Sequence, residues 1–181
     1  MATQSAAPVV KRDPKIRRVV TGHDAQGKSM VWMDGFASNH KYGNPKMIST
    51  LLWCCESVPA DFMSDEDMGN RILGTAPPPG GARFMFSELM PGDKSNDPPA
   101  MHRTDTIDFK VVISGEVTCY LDKEKVVLKA GDVIIGRGTN HAWFNHGTEP
   151  CRSVTLLLDG KPKRAGSISG MQQASSGIGT H

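Results

Sequence analysis

Apolar and polar positions along the second half of the chain fall into short runs with a two-residue period. The clearest are 82–89 (ARFMFSEL), 108–114 (DFKVVIS), 116–121 (EVTCYL), 125–128 (KVVL), 132–135 (DVII), 142–144 and 153–158 (SVTLLL). A period of two places successive side chains on opposite faces of a strand. Turn residues separate the runs at Ser114-Gly115, Asp122-Lys123, Ala130-Gly131, 136–140 and 145–150. Six or seven short strands with turns every eight to twelve residues or so predict an all-β fold, an antiparallel sandwich or barrel. Upstream, 19–21 reads as a strand that turns through GHDAQGKS into a returning strand at 29–33, and 47–54 (MISTLLWC) reads as a third. The stretch 56–81 is acidic first and rich in Pro and Gly after. It reads as loop, with one helical turn around 64–69 capped by Ser64. No internal repeat is visible.

Composition narrows this picture. A chain of 181 residues makes one domain of ordinary size. Its 19 glycines and 12 prolines suit many turns better than a helical bundle. The net charge of +2 is too balanced for a nucleic-acid binder. Apolar runs are too short for a membrane-spanning helix, and the first twenty residues lack the apolar core of a secretory signal. Four cysteines, two of them the neighbours Cys54 and Cys55, do not make a disulfide scaffold, so reduced thiols in a cytoplasmic protein are expected. Charge divides the chain further. Residues 1–20 form a basic, flexible N-terminus and 161–181 a flexible Gly/Ser/Gln-rich tail. Residues 21–160 hold 13 basic and 18 acidic side chains, a net −5. Within them, 21–81 is expected to supply strands and a loop that pack on a barrel or on a partner subunit, and 82–160 to form the barrel.

The candidate chemistry lies in two strings, HRTDTIDFKVVISG at 102–115 and GDVIIGRGTNHAWFN at 131–145. They resemble the two signature motifs of the cupin superfamily of small β-barrels. In the first motif, H-x-H-x3-E-x6-G, His102 takes the first position, Thr104 stands at the second His and Asp108 at the Glu. Gly115 closes the motif after six residues. In the second, Gly138, His141 and Asn145 match G-x2-H-x3-N, while Gly136 replaces the usual Pro and the stretch from Gly131 to Gly138 is one residue short. The resemblance covers roughly 82–160 and implies a single antiparallel, jelly-roll-like cupin barrel with an N-terminal strand extension. Cupins of this kind commonly pair through strands outside the minimal barrel. A homodimer is therefore expected, with the strand around Trp53 as barrel extension or dimer contact.

His102, Thr104, Thr106, Asp108, Lys110 and Val112 share one parity and so one face of an extended strand. Phe109, Val111 and Ile113 take the other. The resemblance places the first set in the cavity and brings His141 to the same space. Two imidazoles and a carboxylate are the minimum for a facial metal triad, so His102, Asp108 and His141 are the candidate ligands for Fe(II), with Zn, Mn or Ni as alternatives. Asp is shorter than Glu by about an ångström. The competing reading is a metal-free site in which the two imidazoles hydrogen-bond Asp108.

Lys110 is unusual in a barrel interior. An inward Lys needs a partner or a lowered pKa, unless its stem lines the wall and its ammonium reaches the mouth. It could pair with Asp108, bind a substrate carboxylate or act as acid and base. Thr104 and Thr106 could orient a ligand oxygen, and Trp143 could wall a planar substrate. Arg83 could meet an anion at the rim, although solvated surface is the default for it and for Arg103 and Arg137. His23 and His40 read as surface.

His102, Lys110 and His141 are the candidate catalytic residues, and Thr104, Thr106, Trp143 and Arg83 the candidate substrate contacts. The partner expected is a small oxygenated organic acid or an aromatic, polyketide-like metabolite. The preferred reaction is a lyase or isomerase step (decarboxylation, dehydration or cyclisation), since proton transfer between His and Lys needs no oxygen chemistry. The alternatives are an Fe(II)-dependent dioxygenase and a non-catalytic ligand-binding cupin.

Overall fold

The computed structural model describes residues 12–44, 46–92 and 100–161. Among them lie eleven strands: β1 (Arg17–His23), β2 (Ser29–Phe36), β3 (His40–Asn44), β4 (Met47–Cys55), β5 (Ala82–Leu89), β6 (Thr106–Ser114), β7 (Glu116–Leu121), β8 (Lys125–Lys129), β9 (Val133–Arg137), β10 (His141–Phe144) and β11 (Cys151–Asp159). Only one 3₁₀ turn, Met68–Asn70, breaks the strand pattern among these residues. The expected all-β, antiparallel fold is what forms. A six-stranded sheet in the order β3-β4-β5-β11-β6-β9 faces a three-stranded sheet, β10-β7-β8, and β1-β2 make a separate hairpin. The N-terminal strands β3 and β4 extend the large sheet directly.

Register turns this topology into an ordered inner wall. Lys110 pairs with Thr155 on one side and Ile134 on the other, Thr155 pairs with Met85, and Met85 with Leu51. One step along, Asp108 pairs with Leu157 and Gly136, and Leu157 with Arg83. One step the other way, Ser153, Ser87 and Ser49 stand side by side across β11, β5 and β4, with Lys41 next on β3. The parity expected of β6 is observed from Thr106 onward. Thr106, Lys110 and Val112 are buried, while Ile107, Phe109, Val111 and Ile113 face outward.

Two apolar clusters hold the layers together. Val112, Val117, Leu128 and Cys151 close one end, with Leu89, Ile134 and Trp143 against them. Leu51, Cys54 and Met68 anchor the 56–81 loop to β4. Arg18 clasps this loop with a bidentate pair to Asp67 at 2.8 and 2.5 Å and a bond to the Leu52 carbonyl. All four cysteines are free thiols. No helix of the described residues is long and apolar enough to cross a membrane.

Local details differ from the sequence expectations. The 3₁₀ turn starts later than expected and is capped by Asp67, whose carboxylate accepts from the Gly69 amide. Ser64 instead accepts from the Glu66 amide two residues on. The strand β3 (HKYGN) was not anticipated, because Lys and Gly hide its alternation. β1 begins inside the stretch expected to be mobile, whereas residues 1–11 and 162–181 lie outside the described residues. His40 is not a surface group: its side chain is 10% exposed and its Nδ1 bonds Thr50 Oγ1 at 2.8 Å.

Gly115, the last residue of the first motif, joins β6 to β7 with φ +71°, and a Cβ there would lie 2.6 Å from the Pro150 carbonyl oxygen. Left-handed backbone and a backbone clash act together. Gly115→Ala is expected to destabilise the protein by about 3 kcal/mol, read by urea unfolding.

Candidate functional site

The two sheets enclose a cavity of about 380 Å³. His102 does not reach it from β6, as simple parity implied. It pairs with His141 through reciprocal backbone bonds of 2.8 Å, and so lies beside β10 on the edge of the small sheet. The chain then bends at Asp105 and enters the large sheet at Thr106. This corner sets His102 apart from the strand that carries Asp108 and Lys110.

The imidazoles of His102 and His141 stand 4.5 Å apart between ring centroids, tilted by 58°. His141 Nδ1 lies 2.9 Å from the Thr139 carbonyl, which can only accept, so Nδ1 carries a proton and the neutral ring holds its lone pair on Nε2. Burial lowers the His102 pKa below its ordinary range, and the neighbouring His141 adds to the effect against a backbone bond at Ala100. His102 is therefore neutral at pH 7. A proton NMR titration is expected to give it a midpoint below 6.5.

Asp108 belongs to a different network. Thr106 Oγ1 donates to its carboxylate at 2.6 Å. A hydroxyl has one proton, so the 2.7 Å contact between Thr104 and Thr106 runs from Thr104 to Thr106. Thr104, Thr106 and Asp108 thus form one directed chain. The ligand set expected of His102, Asp108 and His141 is not gathered: among the described residues no group of three His, Cys, Asp or Glu side chains is placed to hold a metal ion. All three side chains nonetheless line the cavity, the imidazoles from the small-sheet edge and the carboxylate from β6.

Lys110 occupies the middle of the cavity wall and is 8% exposed. Its amine sits 4.6 Å over the Trp143 ring and donates to Thr155 Oγ1 at a long 3.4 Å. No carboxylate lies within ion-pair distance of it among the described residues. Burial lowers its pKa to about 8, with Cys151, Asp108 and Cys119 opposing the shift. The same burial raises the Cys119 thiol to about 11 and Cys151 above its usual range, so neither thiol offers a counter-charge at pH 7. Trp143 also meets His141 edge-on at 5.5 Å, which makes it a shared wall between amine and imidazole.

Arg83 is neither at the rim nor solvated. It is 5% exposed, and its guanidinium donates to the carbonyls of Gly74 and Thr75. Arg103 is tied to Asp105 at 2.6 Å, and Arg137 is exposed. Sequence reasoning missed Ser49, Ser87, Ser153 and Thr155. The signal was present, since Arg83 and Ser87 alternate with outward Phe84 and Phe86 on β5.

Comparison with known proteins agrees with this architecture. The family model for the cupin domain matches residues 85–157. A "Phomopsin biosynthesis cluster protein C'" of Diaporthe leptostromiformis is 33% identical, with 89% of this chain and 92% of the relative covered. A "Cupin-domain-containing oxidoreductase srdB" of Neurospora crassa is 32% identical over 88% and 80% of the two chains. A "Cupin-domain-containing oxidoreductase virC" of Hypocrea virens is 30% identical over 82% and 80%. With near full-length relatives at this identity, and a barrel built on the variant motifs of His102–Gly115 and Gly131–Asn145, the chain belongs to the cupin family.

Proposed function

We propose that this protein is a cupin enzyme of secondary metabolism that moves protons on a small oxygenated organic acid or an aromatic, polyketide-like metabolite. The step is a lyase or isomerase reaction: decarboxylation, dehydration or cyclisation. One observation carries the reading. The Lys110 amine projects into the cavity with a single long hydrogen bond and no carboxylate within ion-pair distance among the described residues. A pKa near working pH suits an acid or base that must both give and take a proton. His102 and His141 stand on the opposite sheet as a second proton site, with His141 Nδ1 held on the Thr139 carbonyl. The Thr104–Thr106–Asp108 chain orients a substrate oxygen, and Trp143 supplies a flat apolar wall. The biosynthesis-cluster name of one relative supports secondary metabolism as the setting.

A second reading, an oxidoreductase, is favoured by the names of two of these relatives. A ligand-binding cupin without turnover is the third. One experiment separates them. A producing culture's metabolite extract is incubated with the protein in D2O and followed by mass spectrometry. The proposal expects a consumed compound to lose carbon dioxide or water, or to keep its formula, with deuterium incorporated. Gain of oxygen or loss of two hydrogens would replace it with the oxidoreductase. Tight binding without consumption would leave the binding module.

The homodimer belongs to the same proposal. Ile107, Phe109, Val111, Ile113, Val133 and Ile135 line the outer face of the large sheet, each 37–58% exposed. They present on the order of 500 Å² of uncharged surface, large for a monomer and a fair share of the ~800 Å² per partner of a standard interface. A flat apolar sheet face suits its own copy related by a two-fold axis. Light scattering is expected to give a dimer for the wild type and a monomer for Val111→Lys. A monomeric wild type would overturn this.

A further inference from the structure

Two buried polar groups on the cavity wall have no partner. Arg83 Nε and Ser87 Oγ are both inaccessible and make no hydrogen bond in the structure. Arg83 is 5% and Ser87 3% exposed. Buried donors without acceptors are rare in folded proteins, and each one asks what its partner is.

The two belong to one place. The Arg83 side chain runs along β5 until its guanidinium meets Ser49 Oγ at 3.5 Å. Ser49 pairs across the sheet with Ser87, and Ser87 with Ser153. Lys41, which also lines the cavity, pairs with Ser49 on the far side. The guanidinium has no carboxylate partner among the described residues. Its bonds go to two carbonyls and one hydroxyl, which hold it in position without neutralising it. A buried cation in that state is costly unless an anion arrives.

The charge of the whole cavity points the same way. Lys41, Arg83 and Lys110 line it against Asp108, whose carboxylate is already engaged by Thr106. Most of the remaining wall is apolar, including Met47, Met85, Leu89 and Leu157. A ligand that satisfies these groups carries one planar acceptor group with negative charge and an apolar body.

We infer that Arg83, Ser87 and Ser49 form a carboxylate subsite that makes the substrate a small, largely apolar monocarboxylate. The inference deepens the proposed function, because it rests on the cavity being a substrate site, and it selects the organic acids among the substrates considered there. Arg83 and Ser87 fix the carboxylate on β5, and the body of the ligand extends toward Lys110 and Trp143. Arg83 and Ser87 are thereby specificity residues, with Lys110 left for chemistry at the far end.

The test compares salicylate with salicylamide, which share size and ring and differ in charge, by isothermal titration calorimetry at pH 7. Wild-type protein is expected to prefer salicylate by about tenfold or more, as a charge-assisted site does. Arg83→Gln is expected to erase the preference. Ser87→Ala is expected to weaken salicylate by about threefold or more. This second variant keeps the test decisive if Arg83→Gln does not fold, since removing an unpartnered hydroxyl leaves the barrel intact. Equal affinity for the two probes overturns the inference, and the proposed proton chemistry then stands on a neutral substrate. An undiminished preference in folded forms of both variants overturns it as well, as does failure of salicylate to bind. A salicylate preference lost in the variants, combined with no turnover of any metabolite, upholds the subsite and removes the enzyme reading alone.

Discussion

Lys110→Met is expected to lower turnover by about a thousandfold or more while leaving the barrel folded and more stable at neutral pH. Met matches the length of the lysine stem and fills the same space between Thr155 and Trp143. The loss is of the proton carrier alone. The stability effect has a definite sign. The fold holds the amine at a pKa near 8, against 10.5 ordinarily. Below about 8 both folded and unfolded chains carry the proton, and the folded chain bears the full cost of a buried ammonium, about 3 kcal/mol. Between 8 and 10.5 the folded state has released a proton that the unfolded chain still binds, so wild-type stability rises with pH. Lys110→Met lacks this dependence. Urea unfolding is expected to show the variant ahead by a few kcal/mol at pH 7, with the gap closing toward pH 10. A gap that stays constant across that window contradicts the account, as does full activity of the variant.

Asn145→Leu is expected to be the most destabilising single change at a motif position, by about 4 kcal/mol. Asn145 is 1% exposed, and its side-chain hydrogen bonds all go to backbone. Its amide donates to the carbonyls of Leu89 and Glu149 at 3.0 and 2.8 Å, and its oxygen accepts from the Gly147 amide at 2.8 Å. These bonds tie the turn after β10 to the end of β5. Leucine fills the volume and strands all three partners without water. Thermal unfolding is expected to drop by roughly ten degrees or more, and the cavity residues play no part in that loss. Asn145→Asp turns a carboxylate oxygen toward the same two carbonyls at a buried site and is expected to be no milder at neutral pH. A drop no larger than that of an exposed Asn would show that the turn is held by other contacts.

Much of this architecture was legible in the residues. The two-residue period of β6 put Thr106, Lys110 and Val112 on one face, and the resemblance of the two motifs to those of cupins implied that this face turns inward. Gly115 was marked by its motif position, and the reason is now visible in its positive φ and the nearby Pro150 carbonyl. The period could not show where a strand begins. His102 shares the parity of Asp108, yet the corner at 103–105 sets it beside β10 on the small sheet, while Thr104 stays bonded to Thr106 at the start of β6. Parity holds only while the chain stays extended. Arg83 was misplaced for a different reason: a charged side chain in an alternating run defaults to solvent, and its burial depends on acceptors in a distant loop, the carbonyls of Gly74 and Thr75. Ser49, Ser87 and Ser153 were invisible as a group because only the pairing of three strands sets them side by side.

The central claim is that Lys110 is an amine without an acidic partner in the substrate cavity. Nuclear magnetic resonance of protein labelled at the lysine side chains tests it without any substrate. One lysine signal is expected to titrate near pH 8, to be absent from Lys110→Met and to move when salicylate binds. A spectrum in which every lysine titrates near its ordinary 10.5 would place the Lys110 ammonium in solvent or on a counter-ion. That result would contradict both its role in proton transfer and the reading of the cavity built around it.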